Sequence, residues 1–283
     1  MADGPMLVLG ATGGQGGAVL DALLARGVQV RALVRDTAAG SALRLADRGV
    51  EVVAGSLNDE ASLAAAMSGV SGVFALTTPF EAGVDAEVEQ GRAILAAARR
   101  TGVPHLVFSS VAGANQHSGV PHFDSKAVIE TELAAANVPY TILGPTYFFD
   151  NALGGVDRIR DGVLDLPLPP HRPLQQLARP DLGAFAAEVL GNPPGYVGQR
   201  IELASDAPTP KQMATALSKA LDHPIRHEQV PLEGIGSPDM RAMWDFLNGP
   251  GYQVDIAALH DGHPNLGWTS FAEWADHTFG AAS

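Results

Sequence analysis

Apolar residues in the first half of the chain recur in short runs that polar or glycine-rich stretches separate. Several runs have the length of a buried strand, and stretches with helical spacing of apolar positions follow them. The predicted strands cover residues 7–9, 28–34, 50–55, 72–77, 105–110 and 140–144. The predicted helices start near residue 18 and then cover 59–67, 84–100 and 126–136. Within residues 84–100, the acidic side chains Asp85, Glu87 and Glu89 are interpreted as a solvated helix start.

This alternation of strands and helices with short connections predicts an α/β fold. We expect a Rossmann-type, doubly wound parallel sheet with helices on both faces and a smaller C-terminal α/β cap. We assign residues 1–150 to the dinucleotide-binding Rossmann domain. After residue 151 prolines interrupt the chain often, so we assign 151–283 to a smaller substrate or cap region that is partly interleaved with the sheet.

Within this second region the pattern predicts helices over 181–190 and 210–221 and a strand over 199–204. Its aromatic residues are interpreted as cap-domain core, some of them lining a substrate pocket. They are Trp244, Phe246, Trp268, Phe271 and Trp274.

The amino-acid composition limits which kinds of chemical site and which cellular location the protein can have. The 283 residues are 46% hydrophobic, yet no apolar run approaches the roughly 20 residues of a membrane span. The absence of cysteine excludes disulfides, thiolate zinc sites and a cysteine nucleophile. We predict no metal site, and we interpret His260 to His263 as a polar surface loop. Residues 1–5 lack the basic start of a signal peptide, so the expected location is cytoplasmic.

The net charge limits which kinds of binding partner the protein can have. The net charge is −13, from 31 acidic and 18 basic residues, and no cluster of basic residues is longer than Arg99-Arg100. This balance argues against nucleic-acid binding. We expect a small-molecule substrate, no membrane association, and a monomer or homodimer, with a protein partner as an open alternative.

The first predicted strand ends in glycines that are spaced three apart, Gly10, Gly13 and Gly16, and a predicted helix follows. A glycine turn between a strand and a helix lets the backbone approach a pyrophosphate closely and presents unpaired N–H groups to it. We therefore predict dinucleotide binding, with Thr12 and Gln15 of the same turn among the cofactor residues.

The end of the second strand bears on the choice between NAD and NADP. An NAD site usually places an acidic residue there to accept from the ribose hydroxyls. This chain has Arg35, whose guanidinium suits a 2′-phosphate, followed by Asp36. We predict a preference for NADP(H), with NAD(H) as the alternative that Asp36 leaves open.

The remaining cofactor candidates follow later strands. Ser56 and Leu57 are placed at the adenine edge, and Thr77 and Thr78 near the nicotinamide ribose. The full set of predicted cofactor residues is Gly10, Thr12, Gly13, Gln15, Gly16, Arg35, Ser56, Leu57, Thr77, Thr78, Ser109, Lys126, Pro145 and Tyr147.

Several of these motifs together resemble the NmrA-like group of atypical short-chain dehydrogenases/reductases. They are the glycine turn, Arg35, Ser109-Ser110, the His-Phe-Asp-Ser-Lys stretch 122–126 and the Gly-Pro-Thr-Tyr-Phe-Phe-Asp-Asn stretch 144–151. The resemblance covers most of the chain. It points especially to members that are NADPH-dependent quinone reductases or NADPH-sensing regulators.

The chain departs from the ordinary reductases of this resemblance at one position. Those relatives carry a Tyr four residues before the Lys, where the Tyr exchanges a proton with the substrate and the Lys anchors the nicotinamide ribose. Here Lys126 is present, but His122 stands where the Tyr is expected. The catalytic candidates are therefore His122, Lys126 and Tyr147. A structural role for His122 in a helix cap or pocket wall is the alternative.

These observations favour an NADPH-dependent oxidoreductase that reduces a small apolar acceptor such as a quinone, enone or carbonyl. The alternative is a non-catalytic NADP(H)-binding redox sensor that acts through protein partners, which the missing Tyr favours. A sugar epimerase or dehydratase fits less well, because those reactions depend more heavily on the Tyr.

Overall fold

The computed structural model describes residues 4–280 of the chain, so the predicted absence of a leader in residues 1–5 falls partly outside the described residues. The strands are β1 (Met6–Leu9), β2 (Val30–Val34), β3 (Glu51–Ala54), β4 (Gly72–Leu76), β5 (Leu106–Ser109), β6 (Tyr140–Pro145), β7 (Tyr147–Phe148), β8 (Val163–Leu166), β9 (Gln176–Leu177), β10 (Arg200–Leu203) and β11 (Arg226–Gln229). The helices are α1 (Gly14–Ala25), α2 (Gly40–Asp47), α3 (Glu60–Met67), α4 (Val84–Thr101), α5 (Pro121–Ala134), α6 (Val156–Arg160), α7 (Arg179–Gly191), α8 (Pro210–Leu221), α9 (Pro238–Asn248), α10 (Ile256–Gly262) and α11 (Phe271–Phe279).

Seven strands form one parallel sheet in the order β10-β6-β5-β4-β1-β2-β3. The order reverses between β1 and β4, where Val8 lies between Ala32 of β2 and Phe74 of β4. This is the strand order of a doubly wound Rossmann sheet, and a crevice forms at the carboxyl ends where the order reverses. The predicted fold class is confirmed.

Side chains on alternate strand positions supply two cores, one on each face of the sheet. In β1, Val8 points into the core that α1, α2 and α7 cover, whereas Leu7 and Leu9 point into the core beneath α3, α4 and α5. All three side chains are fully buried, and each such burial contributes about 1.5–3 kcal/mol. Strands buried on both faces explain why the sequence shows continuous apolar runs rather than alternation.

The second half of the chain also reaches the main sheet. Strand β10 pairs with β6 in parallel, and α7 packs so closely on α1 that a Cβ on Gly183 would lie 2.3 Å from the carbonyl oxygen of Ala18. The two short sheets β8–β11 and β7–β9 lie outside the main sheet. A division of function at residue 150 remains a prediction.

A third core joins the elements of the C-terminal half. It contains Phe149, Trp244, Phe246, Phe271 and Trp274, all buried. Four of the five aromatic residues predicted as cap core are in this cluster. Trp268 is not in this cluster, because it packs against the core that α1, α2 and α7 cover.

Two local predictions were wrong, and some elements were not predicted at all. Helix α2 was not predicted, and helix α5 begins at Pro121, five residues before the predicted start, because proline suits the first helical position. Residues 260–263 are not a polar surface loop. His260 lies on α10 and stacks on the Trp268 indole, with 4.5 Å between ring centroids.

Within residues 4–280, no helix is both long and apolar enough to cross a membrane.

Candidate functional site

A cleft of about 660 Å³ opens at the carboxyl ends of the central strands, where the strand order reverses. Its lining includes each predicted cofactor and catalytic residue except Ser109. Ser109 is buried and donates a hydrogen bond to the Gln15 side chain at 2.7 Å, while the next residue, Ser110, lines the cleft. Residues that lie far apart in the sequence are thus brought to one cavity.

The glycine turn at the start of α1 requires residues without side chains. Gly10 has a positive φ of 67°, and a Cβ on Gly16 would lie 2.3 Å from the carbonyl oxygen of Gly10. Gly13 is the N-cap, and within the described part of the chain no side chain caps the first turn of α1. The free N–H groups and the positive end of the helix dipole therefore suit an anionic phosphate group.

The end of β2 presents a guanidinium to the cleft. Arg35 is largely exposed, and its Nη1 lies 3.4 Å from the carboxylate of Glu81. The Asp36 carboxylate accepts a hydrogen bond from the backbone N–H of Ala38 at 2.8 Å and is not part of the cleft lining. Of the two neighbours, the cationic Arg35 lines the cleft and the anionic Asp36 does not. A cation suits a phosphate group better than a ribose hydroxyl.

Ser56 and Leu57 line the cleft after β3, and Thr77 and Thr78 line it after β4. The Thr78 backbone N–H donates to the side-chain oxygen of Gln90 at 3.2 Å, which ties this strand end to α4. The ends of β3 and β4 therefore line the same cleft as the glycine turn.

A buried ion pair lies under the end of β4. Lys126 Nζ donates to the carbonyl oxygen of Thr77 at 2.8 Å and to its hydroxyl at 2.9 Å, and it lies 3.0 Å from the carboxylate of Glu87. The same carboxylate accepts from the hydroxyls of Thr77 and Ser125. All three N–H groups of Lys126 thus have partners, so this side chain fixes the cleft wall.

Burial lowers the pKa of Lys126, because removal from water disfavours the ammonium ion. The nearby Glu87 carboxylate acts in the opposite direction, as does the more distant Glu130. Glu87 is fully buried. Its interpretation as part of a solvated helix start was therefore wrong.

His122 lies one helical turn before Lys126 on α5 and lines the same cleft. Its Nδ1 lies 2.8 Å and 2.9 Å from the two carboxylate oxygens of Asp239, and its backbone N–H donates to the same carboxylate at 3.1 Å. Asp239 belongs to the first turn of α9, far along the chain. A Rossmann helix and a C-terminal helix therefore meet at this histidine.

Aromatic residues form another wall of the cleft. Pro145 and Tyr147 line the cleft after β6, and the Tyr147 ring packs against Trp244 with 5.4 Å between centroids. Burial raises the pKa of the Tyr147 phenol to about 12, although Asn151 acts in the opposite direction. The phenol stays protonated near neutral pH, so Tyr147 offers a hydroxyl and a flat apolar surface.

Sequence reasoning missed two residues of the site. Glu87 had a signal, because it occupies the same helical face as the buried residues Gly91, Ile94 and Ala98. Asp239 had none, since only the folded chain brings it to His122.

The model of the NmrA-like family matches residues 3–248. The chain belongs to the NmrA-like family. The resemblance inferred from the motifs is thereby confirmed. Among its relatives, this NmrA-like chain is 31% identical to the NAD(P)H azoreductase of Xenophilus azovorans over an alignment of 296 positions, which covers 98% of the chain and 100% of the azoreductase.

Two solved structures are similar over nearly their whole length. The triphenylmethane reductase of Citrobacter sp., complexed with NADP(H), matches with a TM-score of 0.83 and 25% identity, covering 96% of this chain and 99% of that one. The NADPH-dependent quinone oxidoreductase of Escherichia coli, complexed with NADPH, matches with a TM-score of 0.81 and 28% identity, covering 97% and 99%.

Proposed function

We propose that this NmrA-like protein is an NADPH-dependent oxidoreductase that reduces a small apolar acceptor such as a quinone, enone, carbonyl or azo compound. The observation that carries the proposal is the single cleft. It joins a glycine turn suited to phosphate, a cationic strand end, a histidine and an aromatic wall. The azoreductase, quinone oxidoreductase and dye reductase among its relatives support the same class of reaction.

The cofactor part of the proposal rests on the fit of the glycine turn and Arg35. The turn is closed to side chains at Gly16, and the first turn of α1 offers its N–H groups to the pyrophosphate. Arg35 pairs with the 2′-phosphate in place of Glu81. When bound, NADPH supplies a hydride from its nicotinamide.

The nicotinamide and acceptor part of the proposal uses residues from both halves of the chain. Lys126, held by Glu87, fixes the Thr77 backbone where the nicotinamide ribose is expected, and Pro145 and Tyr147 form the wall beside the ring. His122 is the proton donor of the site. Residues 151–283 contribute Trp244 and neighbouring side chains, which give the acceptor an apolar surface and reduce its contact with water.

The experiment that tests this proposal is NADPH oxidation with a panel of acceptors, a benzoquinone, a cyclic enone and an azo dye. Turnover above buffer with at least one of them is expected. Tight binding of both NADPH and NADP⁺ without turnover on any acceptor would contradict the proposal. That result would favour the alternative, a redox sensor that acts through protein partners.

Replacing Arg35 by alanine is expected to raise the Kd of NADPH and to leave the Kd of NADH nearly unchanged. The loss of a hydrogen-bonded charge on the 2′-phosphate should cost about 1.5–3 kcal/mol, a factor of roughly 10 to 150. Fluorescence titration with both cofactors measures the two constants. Arg44→Ala is the matched control, because it removes an exposed arginine on α2 outside the cleft lining. An unchanged NADPH constant in Arg35→Ala would refute this role.

A further inference from the structure

We propose that Asp239 is a positioning residue that makes His122 the proton donor for acceptors whose reduction leaves a basic anion. The inference rests on the proposed reductase function and names one requirement of the acceptor, a proton supplied in the cleft. Asp239 is the new element, since it comes from α9 and not from the Rossmann half of the chain.

The contacts between the two residues fix the imidazole ring. The Asp239 carboxylate accepts from the backbone N–H of His122 and contacts Nδ1 with both oxygens, so the ring cannot turn without losing the Nδ1 contacts. An ionised carboxylate only accepts hydrogen bonds, and therefore Nδ1 must carry the proton of the ring. Asp239 therefore sets the tautomer and the orientation of the ring, the role that a carboxylate has beside a catalytic histidine.

The other ring nitrogen is open to the cleft. Among residues 4–280 no group hydrogen-bonds to Nε2, and Nε2 is not one of the unpaired polar atoms sealed in the interior. The ring is packed by Phe123, with 4.8 Å between centroids, and by Phe80 at 5.7 Å. Phe80 itself is 71% exposed at the cleft, so His122 lies between an apolar mouth and the buried Lys126. This arrangement leaves Nε2 as the donor toward a bound acceptor.

The chemistry of three acceptor classes separates hydride transfer from proton transfer. Hydride addition to one nitrogen of an azo bond breaks the N=N π bond and leaves a strongly basic anion on the other nitrogen. Nε2–H of the His122 imidazolium protonates that nitrogen, and the ring regains its proton from water. A quinone gives a stabilised oxyanion that demands the proton less. A cationic triarylmethane dye takes the hydride on its central carbon, becomes neutral and needs no proton.

The test compares His122→Gln and Asp239→Asn with the wild type on an azo dye, a benzoquinone and a cationic triarylmethane dye. On the azo dye, His122→Gln should lower kcat by about 10²- to 10⁴-fold, the usual share of a general acid, and Asp239→Asn by about tenfold or more. The loss should be smaller on the quinone. On the triarylmethane dye it should stay within about threefold, because that reduction needs hydride alone.

Two further variants and one binding measurement complete the design. Asp239→Glu should recover part of the azo activity, because it restores a carboxylate partner. Asp245→Asn makes the same charge change at an exposed position of α9 and should leave the azo rate at the wild-type value. NADPH titration of each variant should give Kd values close to the wild type, which shows that the cofactor site is folded.

The outcomes are distinct. An equal loss on all three acceptors would show that the pair is merely structural, and no loss on the azo dye would show that it moves no proton; either result overturns the inference. A wild-type protein that oxidises NADPH with none of the three acceptors would overturn the proposed function itself, and the proton-donor role with it.

Discussion

Replacing Glu87 by glutamine is expected to lower the free energy of unfolding by about 3–5 kcal/mol, the usual cost of removing one partner of a buried ion pair. Glu87 is fully buried beside Lys126, and the two are the opposite charges of one network under the end of β4. The amide keeps the shape of the side chain but leaves the ammonium without a counter-charge. Urea unfolding monitored by circular dichroism measures the difference.

Glu89→Gln is the control for this prediction. Glu89 lies on the same helix, is exposed and pairs with Arg92 at 2.6 Å, so its loss should cost about 0–1 kcal/mol. If Glu87→Gln were no more destabilising than Glu89→Gln, the buried pair would not stabilise the cleft wall as described. At temperatures where Glu87→Gln is folded, weaker NADPH binding is also expected, because the backbone of Thr77 loses its fixed position.

Replacing Gly16 by alanine is expected to abolish tight NADPH binding. The added Cβ would lie 2.3 Å from the carbonyl oxygen of Gly10 and 2.8 Å from that of Leu9, so the backbone of the turn must shift. The shift moves the N–H groups that the pyrophosphate needs, and we expect a Kd at least about 100-fold higher, or 2.7 kcal/mol. The strain itself should lower stability by about 1–3 kcal/mol.

The neighbouring residue Gly17 provides the matched control. A Cβ there would lie 3.5 Å from the carbonyl oxygen of Ala11, an ordinary van der Waals distance. Because alanine suits a helix better than glycine, Gly17→Ala should be neutral or should stabilise the protein by about 0.5–1 kcal/mol. Equal NADPH constants for the two variants would contradict the close approach of backbone and cofactor at Gly16.

The features that could be predicted from the sequence are those that depend on contiguous residues. The strand, glycine turn and helix at residues 7–24 follow from local pattern, as do the strand-helix alternation and the position of Arg35 at the end of β2. Pro210–Leu221 was predicted with its observed bounds, and in the structure the Thr209 side chain caps this helix. Local sequence was enough to predict the fold class and many of the residues that line the cleft.

The features that could not be predicted depend on partners that the chain brings together only when it folds. The helical face of Glu87 indicates burial, but only folding brings its partners Lys126 and Ser125 to it. Nothing near His122 in the sequence indicates its partner, because the Asp239 carboxylate lies 117 positions away. Such pairings are set by the tertiary packing of α4, α5 and α9, which no local periodicity encodes.

The most direct test of hydride transfer in this cleft uses NADPH that carries deuterium at both hydrogens of the nicotinamide C4, and it follows the label to a cationic triarylmethane dye. The new C–D bond does not exchange with water, so mass spectrometry of the colourless product shows where the hydride came from. Each reduced dye molecule is expected to carry one deuterium on its central carbon, with one NADPH oxidised. Reduced dye without deuterium would contradict hydride transfer from the bound cofactor.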